Sequence, residues 1–389
     1  MIKKVVYINY QPITPKYFSD YYLGECIENG LNVEYWDVTN LFFSEINFVE
    51  SNYFETTVIK MSSLKELNKR LSTMDISSTF FITNINYEFR VWRLYRILTS
   101  FNCKLAFFAR GMYPTPKVKV SSKVIKLLSN FEFKRILNGL KNKLSIILKK
   151  YNIIKTYDFV FRAGSEGGNT FYGNTFDLKK GKVIEINYFD YDKYLNLIND
   201  NEVVKEDYVV FMDQYLAYHP DVAICGLKYV DADVYYTELN NFFNVIEKKY
   251  NTSVVIAAHP KAIGYKTNNP FENRKIVFDK TSELVKDSKF ALTHHSTAIS
   301  FPILFKKPIV LLNSDELKKA MPDLYDLTNF IGDCLSAEVV NFDRFDINKE
   351  LDLYVDIEKF NDYKYKYLSS VESENQLSSE IFIKTILKL

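Results

Sequence analysis

Only four histidines occur in the 389 residues, at His219, His259, His294 and His295. Each follows a short apolar run that reads as a strand. His259-Pro260-Lys261 comes after SVVIAA, and His294-His295-Ser296-Thr297 after KFALT. Imidazoles, an ammonium and hydroxyls are the groups that hold a phosphate and stabilise the charge it develops on leaving. A single histidine is more often a core residue than a ligand, but four at strand ends point to one anion-binding edge. In open α/β sheets, ligands sit beyond the carboxyl ends of the strands. Ser296 and Thr297 also stand where a helix can start, so their hydroxyls either cap it or donate to a phosphate. Pro302, suited to a first helical turn, moves the expected start toward Ser300.

The elements that position these residues alternate. KKVVYINY, NVEYWDV, STFFITNI, KLAFFARG and YDFVFRAG read as strands, separated by helical spacing near Tyr17–Glu28, Ser63–Met74 and Tyr87–Ser100. A second series begins at YVVFMDQ and runs through SVVIAAHPK, KIVFD, KFALT and PIVLLN. Continuous apolar runs of this kind are buried parallel strands. The expectation is an α/β chain of two Rossmann-like doubly wound domains, residues 1–200 and 201–389, hinged at the polar run 199–207 and finished by a helix, Ser378–Leu387. The glycine loop GSEGGNT lacks the G-x-G-x-x-G spacing and is weak as a phosphate loop.

Composition narrows the classes. The four cysteines (Cys26, Cys103, Cys225, Cys334) have no C-x-x-C spacing, which argues against a metal cluster or disulfide framework and fits a reducing compartment. No zinc ligand set is recognisable, and Asp231-Ala232-Asp233 follows no clear strand, so no metal is expected. The amino terminus reads as a strand, and no run approaches a membrane span, so a cytoplasmic location is expected. Lys117 to Lys155 departs from the background. Eleven Lys and Arg face the single acid Glu132, so this stretch holds +10 in a chain whose net charge is +2. Interleaved Leu, Ile and Val make it a basic amphipathic segment, suited to an anionic inner-leaflet surface or to ordinary packing on the domain. Nucleic acid is disfavoured, because stacking aromatics are sparse there.

The His-Pro pair, followed some 35 residues later by the Ser/Thr pair, resembles bacterial sialyltransferases and polysialyltransferases of the GT-B fold, and capsule and lipopolysaccharide Kdo transferases. FMDQYLAYHPD is also similar to surface-carbohydrate biosynthesis proteins. The resemblance covers residues 208–312 at the level of motifs. It implies that His259, Pro260, Ser296 and Thr297 contact the nucleotide of a CMP-activated acidic sugar; beside them, His295 can donate to the leaving phosphate and Lys261 adds positive charge. The family's acidic-acidic-Gly motif is incomplete here: Ser165-Glu166-Gly167 lacks the first acid. Glu166 and Asp213 are therefore rival general bases, with His219 and Asp221 one loop beyond Asp213.

The expected activity is metal-independent, inverting transfer of a nonulosonate or Kdo from a CMP donor to a glycan or lipid-linked glycan, with the acceptor in an interdomain cleft. UDP- or GDP-sugar transfer, polyol-phosphate transfer, and an inactive scaffold are the alternatives.

Overall fold

The first apolar runs form one sheet of β1 (Lys4–Asn9), β2 (Asn32–Asp37), β3 (Thr57–Lys60), β4 (Thr79–Thr83), β5 (Lys104–Ala109), β6 (Phe159–Ala163) and β7 (Lys182–Ile186). Their order is β3-β2-β1-β4-β5-β6-β7, every pair parallel. The second series forms β8 (Tyr208–Met212), β9 (Ser253–Ala257), β10 (Ile276–Val277), β11 (Ala291–Thr293), β12 (Ile309–Asn313) and β13 (Glu338–Asn341). Its order is β10-β9-β8-β11-β12-β13, again all parallel. Each sheet therefore reverses its strand order once, between β1 and β4 and between β8 and β11, as Rossmann-like sheets do.

The structure is a computed structural model and describes residues 1–43, 56–110, 114–116, 133–168, 174–198, 207–224 and 227–389. The expected hinge over 199–206, the basic residues 117–132, Cys225, Asn169 and Thr170 lie outside the described residues.

Alternation along the strands gives each sheet two buried faces. Val5, Tyr7, Tyr35, Phe80, Phe108 and Phe161 fill one side of the first sheet, and Val6, Ile8, Trp36, Phe81, Phe107 and Val160 the other. In the second sheet Val209, Phe211, Ile256, Leu292 and Val310 oppose Val210, Met212, Val255 and Ala291. Helices cover both faces, so both domains are doubly wound.

The chain divides into two compact units, Met1–Met112 with Val118–Phe189 and Ser369–Leu389, and Tyr113–Lys117 with Asp190–Leu368. A single division at residue 200 would place the last helix in the second domain, whereas Ser378–Leu387 belongs to the first unit. Its apolar stripe, Phe382, Ile383 and Ile386, is buried in the core of the first sheet, and Phe382 lies 5.0 Å from Phe161. Asn187, just past β7, fixes its start by donating from Nδ2 to the Ser373 and Gln376 carbonyls and from its amide to Ser378 Oγ. Two Rossmann-like doubly wound domains and a C-terminal helix, as the sequence led us to expect, are present.

The glycine loop serves packing. A Cβ at Gly167 would meet the carbonyl oxygens of Ala109 and Ala163 at 2.7 Å, and Gly168 has φ +82°. Both glycines let the turn after β6 close onto the ends of β5 and β6.

Candidate active site on the second sheet

β8 is fully buried and ends at Met212, where the backbone leaves the sheet. The Asp213 amide still donates to Ala257 of β9 (3.0 Å), while its Oδ1 accepts from the Tyr215 amide (3.0 Å). Tyr215 takes a left-handed conformation (φ +56°), and the loop turns back toward β9. The Asp213 side chain is 6% exposed, and its Oδ2 is buried with no hydrogen-bond partner among the described residues. Burial pushes this carboxyl up to about 6, against the opposing pull of the Tyr215 amide and, next, of the neighbouring Tyr265 hydroxyl, which does not reach hydrogen-bond geometry on Oδ2.

The same loop carries His219 to the end of β9, where its ring meets that of His259 at 4.8 Å between centroids, inclined by 74°. Both imidazoles are held alike. His219 Nδ1 accepts from the Asp221 amide (3.1 Å), and His259 Nδ1 accepts from the Lys261 amide (3.2 Å). With Nδ1 engaged as an acceptor, the proton of each neutral ring sits on Nε2, which is left to donate. Burial, His219 and Lys261 press His259 down to about 4, and burial likewise lowers His219. Both rings are therefore neutral donors at neutral pH. Lys261 Nζ pairs with Asp221 at 3.0 Å, with both side chains about half exposed. Pro260 is exposed beside them.

At the end of β11 the two adjacent histidines do different things. His294 is fully buried, with Nδ1 donating to the Leu312 carbonyl and Nε2 accepting from Tyr235, both at 2.7 Å. It clamps β12 and helix Ala232–Tyr250 onto β11, and neither nitrogen is left for a ligand or a metal. His295 is partly exposed but has a buried Nδ1 with no partner, and burial followed by His294 lowers it to about 3. Ser296 Oγ accepts from Ala298 N (3.1 Å) and caps the 3-10 turn Thr297–Ile299, from which Ser300–Leu304 continues as a helix. Thr297 is exposed.

These placements put His219, His259, Pro260 and Lys261 at one side of β8 and His295, Ser296 and Thr297 at the other. Both groups lie at the carboxyl edge where the strand order reverses. Glu166 lies in the first unit, on the turn after β6. Asp231 is an N-cap, its Oδ1 accepting from the Asp233 and Val234 amides, which accounts for the Asp-Ala-Asp run.

The sequence did not single out Gln214 or Asn313. Among the described residues Gln214 Oε1 and Asn313 Oδ1 are buried without partners, as are Asp213 Oδ2 and His295 Nδ1. All four residues stand at the carboxyl ends of β8, β11 and β12. Buried polar atoms are nearly always paired in folded proteins, so a cluster of unpaired ones marks where a ligand is received. The usable signal was positional: Gln214 directly follows Asp213 at a strand end. The loop also carries Tyr218, 49% exposed and stacked on Tyr236 at 6.2 Å.

No protein-family model and no curated protein matches the chain by sequence. Among solved structures it is similar to the UDP-GlcNAc 2-epimerase of Methanocaldococcus jannaschii in complex with UDP-GlcNAc and UDP, at 13% identity over 99% of each chain, with a TM-score of 0.43. It is similar to the epimerase of Neisseria meningitidis bound to UDP-GlcNAc, at 13% identity over 99% of this chain and 100% of that one, with a TM-score of 0.45. The calicheamicin glycosyltransferase CalG4 aligns over 100% and 98%, at 10% identity and a TM-score of 0.49. At this distance the likenesses bear on neither activity nor donor, and one fold hosts both epimerases and transferases.

Proposed function

We propose that the chain is a glycosyltransferase that takes a sugar from a nucleotide donor, with the nucleotide's phosphates held by the second sheet. The observation that carries this reading is the carboxyl edge at β9-β8-β11, where neutral imidazole donors, Lys261 and the unpaired Asp213 and Gln214 oxygens collect. In the transfer step the acceptor hydroxyl attacks the anomeric carbon as the bond to the phosphate oxygen breaks. The electron pair leaves with the nucleotide, and the hydroxyl proton passes to a carboxylate. Nε2–H of His219 and His259 and the Lys261 ammonium stabilise the leaving phosphate. His219 is a donor in this scheme and not the base, because its Nδ1 already accepts an amide. Asp213, with its free Oδ2, is the base we favour, and Glu166 is its rival.

The two anion-holding groups flank β8, about two strand spacings or ~10 Å apart. That separation suits a nucleoside diphosphate better than a monophosphate, so we favour a UDP-type donor over the CMP-linked acidic sugar that the motif resemblance implies. The test is donor hydrolysis without acceptor. UDP-, TDP-, GDP- and CMP-sugars are incubated with the protein and nucleotide release is followed. Slow release from one nucleoside class supports the reading and names the base; release from none supports the inactive scaffold.

We further propose that helix Phe133–Lys150 and the turn after it lie on an anionic lipid surface. Lys141, Lys143 and Lys150 are exposed there, together with Leu144 (48%), Ile147 (44%), Tyr151 (67%) and Ile153 (42%). Apolar residues beside ammonium groups are the pattern of interfacial helices. No helix among the described residues is long and apolar enough to cross a membrane.

A further inference from the structure

Arg110 directly follows β5 in the first unit and is 6% exposed. Its Nη1 reaches the Asp20 carbonyl at 3.4 Å, while Nε and Nη2 are buried with no partner among the described residues. A guanidinium keeps its charge at every relevant pH. Aromatic rings surround it: Phe189 at 4.4 Å, Phe108 at 4.5 Å, Tyr22 at 5.0 Å and Tyr21 at 5.8 Å from its central carbon. Their faces attract a cation but accept nothing along its open edge. A buried charge with unpaired donors is unfavourable until a counter-charge arrives.

The unpaired pair of nitrogens is informative. Nε–H and one Nη2–H point the same way and form the fork that grips a carboxylate or phosphate through two parallel bonds. Arg162 in the same unit turns this edge, Nε and Nη2, on the Glu185 carboxylate, with Nε 3.1 Å from Oε1. Arg110 has the same fork and no carboxylate in it.

A second unpaired group lies nearby along a chain of contacts. Tyr21 stacks on Tyr17 at 4.3 Å, and the Tyr17 hydroxyl accepts from Asn84 Nδ2 at 2.8 Å. Asn84 Oδ1 is buried without a partner. Asn84 directly follows β4, where the strand order of the first sheet reverses. The edge thus offers an oxyanion fork, an acceptor for a hydroxyl, and aromatic faces of the kind on which pyranose rings pack.

We propose that the carboxyl edge of β4 and β5 is a second binding site, for a sugar bearing an oxyanion. Arg110 Nε and Nη2 hold the anion, and Asn84 Oδ1 accepts from a hydroxyl. Tyr21 and Phe189, both partly exposed, are the rings that move to admit it. Naming this sugar as the acceptor rests on the glycosyltransferase reading; its binding does not.

The test is thermal stabilisation of the full chain at matched ionic strength by glucuronate, glucose 6-phosphate and glucose. Dose-dependent stabilisation by a charged sugar but not by glucose is expected, and the sugar that responds names carboxylate or phosphate as the anion. Arg110→Met should abolish the response and raise the melting temperature of the unliganded protein, since it removes an unpaired buried cation. Arg110→Lys keeps the charge and loses the fork, so apparent affinity should fall at least tenfold; this variant decides the matter if the first fails to fold. UDP is added in parallel. Loss of UDP stabilisation in the wild type would count against the donor reading and leave the sugar site standing. The proposal is overturned if neither charged sugar exceeds glucose, or if both variants respond as the wild type does.

Discussion

As the proposed base, Asp213 would have opposite effects on stability and rate. Its folded pKa of about 6 lies above the ordinary carboxylate value. The folded state therefore favours the protonated form, a contribution present below about pH 4 and lost as pH rises through 6. The shift corresponds to about 3 kcal/mol. Asp213→Asn should recover much of this at pH 8, visible as a raised melting temperature. It should also lower turnover by about 100-fold or more, in the range of general-base catalysis, with nucleotide binding little changed. The wild-type rate should fall as pH drops through about 6, because the base must be ionised. Full activity in Asp213→Asn with an inactive Glu166→Gln would move the role to Glu166. The histidines give a separate signature. His259 is depressed to about 4, so the folded state favours the neutral ring; that contribution is present above pH 6.5 and lost as pH falls toward 4. A phosphate on Nε2 opposes this preference. Nucleotide binding at pH 5.5 should therefore take up a proton, measurable by calorimetry in buffers of different ionisation enthalpy. Equal heats in all buffers would show that His259 stays a neutral donor on the bound nucleotide.

Helix Phe133–Lys150 shows what a stretch of sequence reveals and conceals. Its charges and apolar spacing were plain, but Lys149 belongs to the interior: it is fully buried and pairs with Asp177 at 2.6 Å, its ammonium 4.4 Å from the Tyr87 ring. The partner lies twenty-eight residues downstream, so no local pattern distinguishes Lys149 from Lys150. Removing one member of a buried pair costs about 3–5 kcal/mol, so Lys149→Met should unfold the protein at lower denaturant. Changing Lys141, Lys143 and Lys150 to Gln should leave stability intact and weaken binding to anionic vesicles, each exposed lysine contributing about 1 kcal/mol near the surface. Salt-insensitive sedimentation with such vesicles, or none at low salt, would refute the lipid reading. The same division runs through the strands. The strands named from the sequence were legible because their cores are continuous apolar runs. β3 (TVIK) and β13 (EVVN) were not, being half-buried edge strands whose polar residues dilute the pattern. His294 and His295 looked equivalent by position, and only the Tyr235 and Leu312 contacts separate a structural clamp from a ring at the ligand edge. Arg110 read as one more residue of the strand KLAFFARG, because an unpaired side chain leaves no mark in sequence.

Across the whole chain, one plan occurs twice. Each unit is a parallel sheet whose strand order reverses once, and among the described residues most of the unpaired buried side-chain atoms stand at a carboxyl edge: those of Asp213, Gln214, His295 and Asn313 on the second sheet and of Asn84 and Arg110 on the first, with Arg70 Nε, on the helix Leu64–Ser72, apart from them. The first group faces donors suited to phosphates, and the second pairs a guanidinium with aromatic rings. The proposed transferase, holding a nucleotide on one domain and a charged sugar on the other, would account for both. The measurement that tests this most directly is calorimetric titration of the full chain with UDP, TDP, GDP and CMP, repeated on His259→Ala. The account predicts saturable binding of a nucleoside diphosphate to the wild type, weaker binding of CMP, and at least a tenfold loss in His259→Ala. If none of the four nucleotides binds, or if His259→Ala binds as the wild type does, the second sheet is not a nucleotide site and the central claim is wrong.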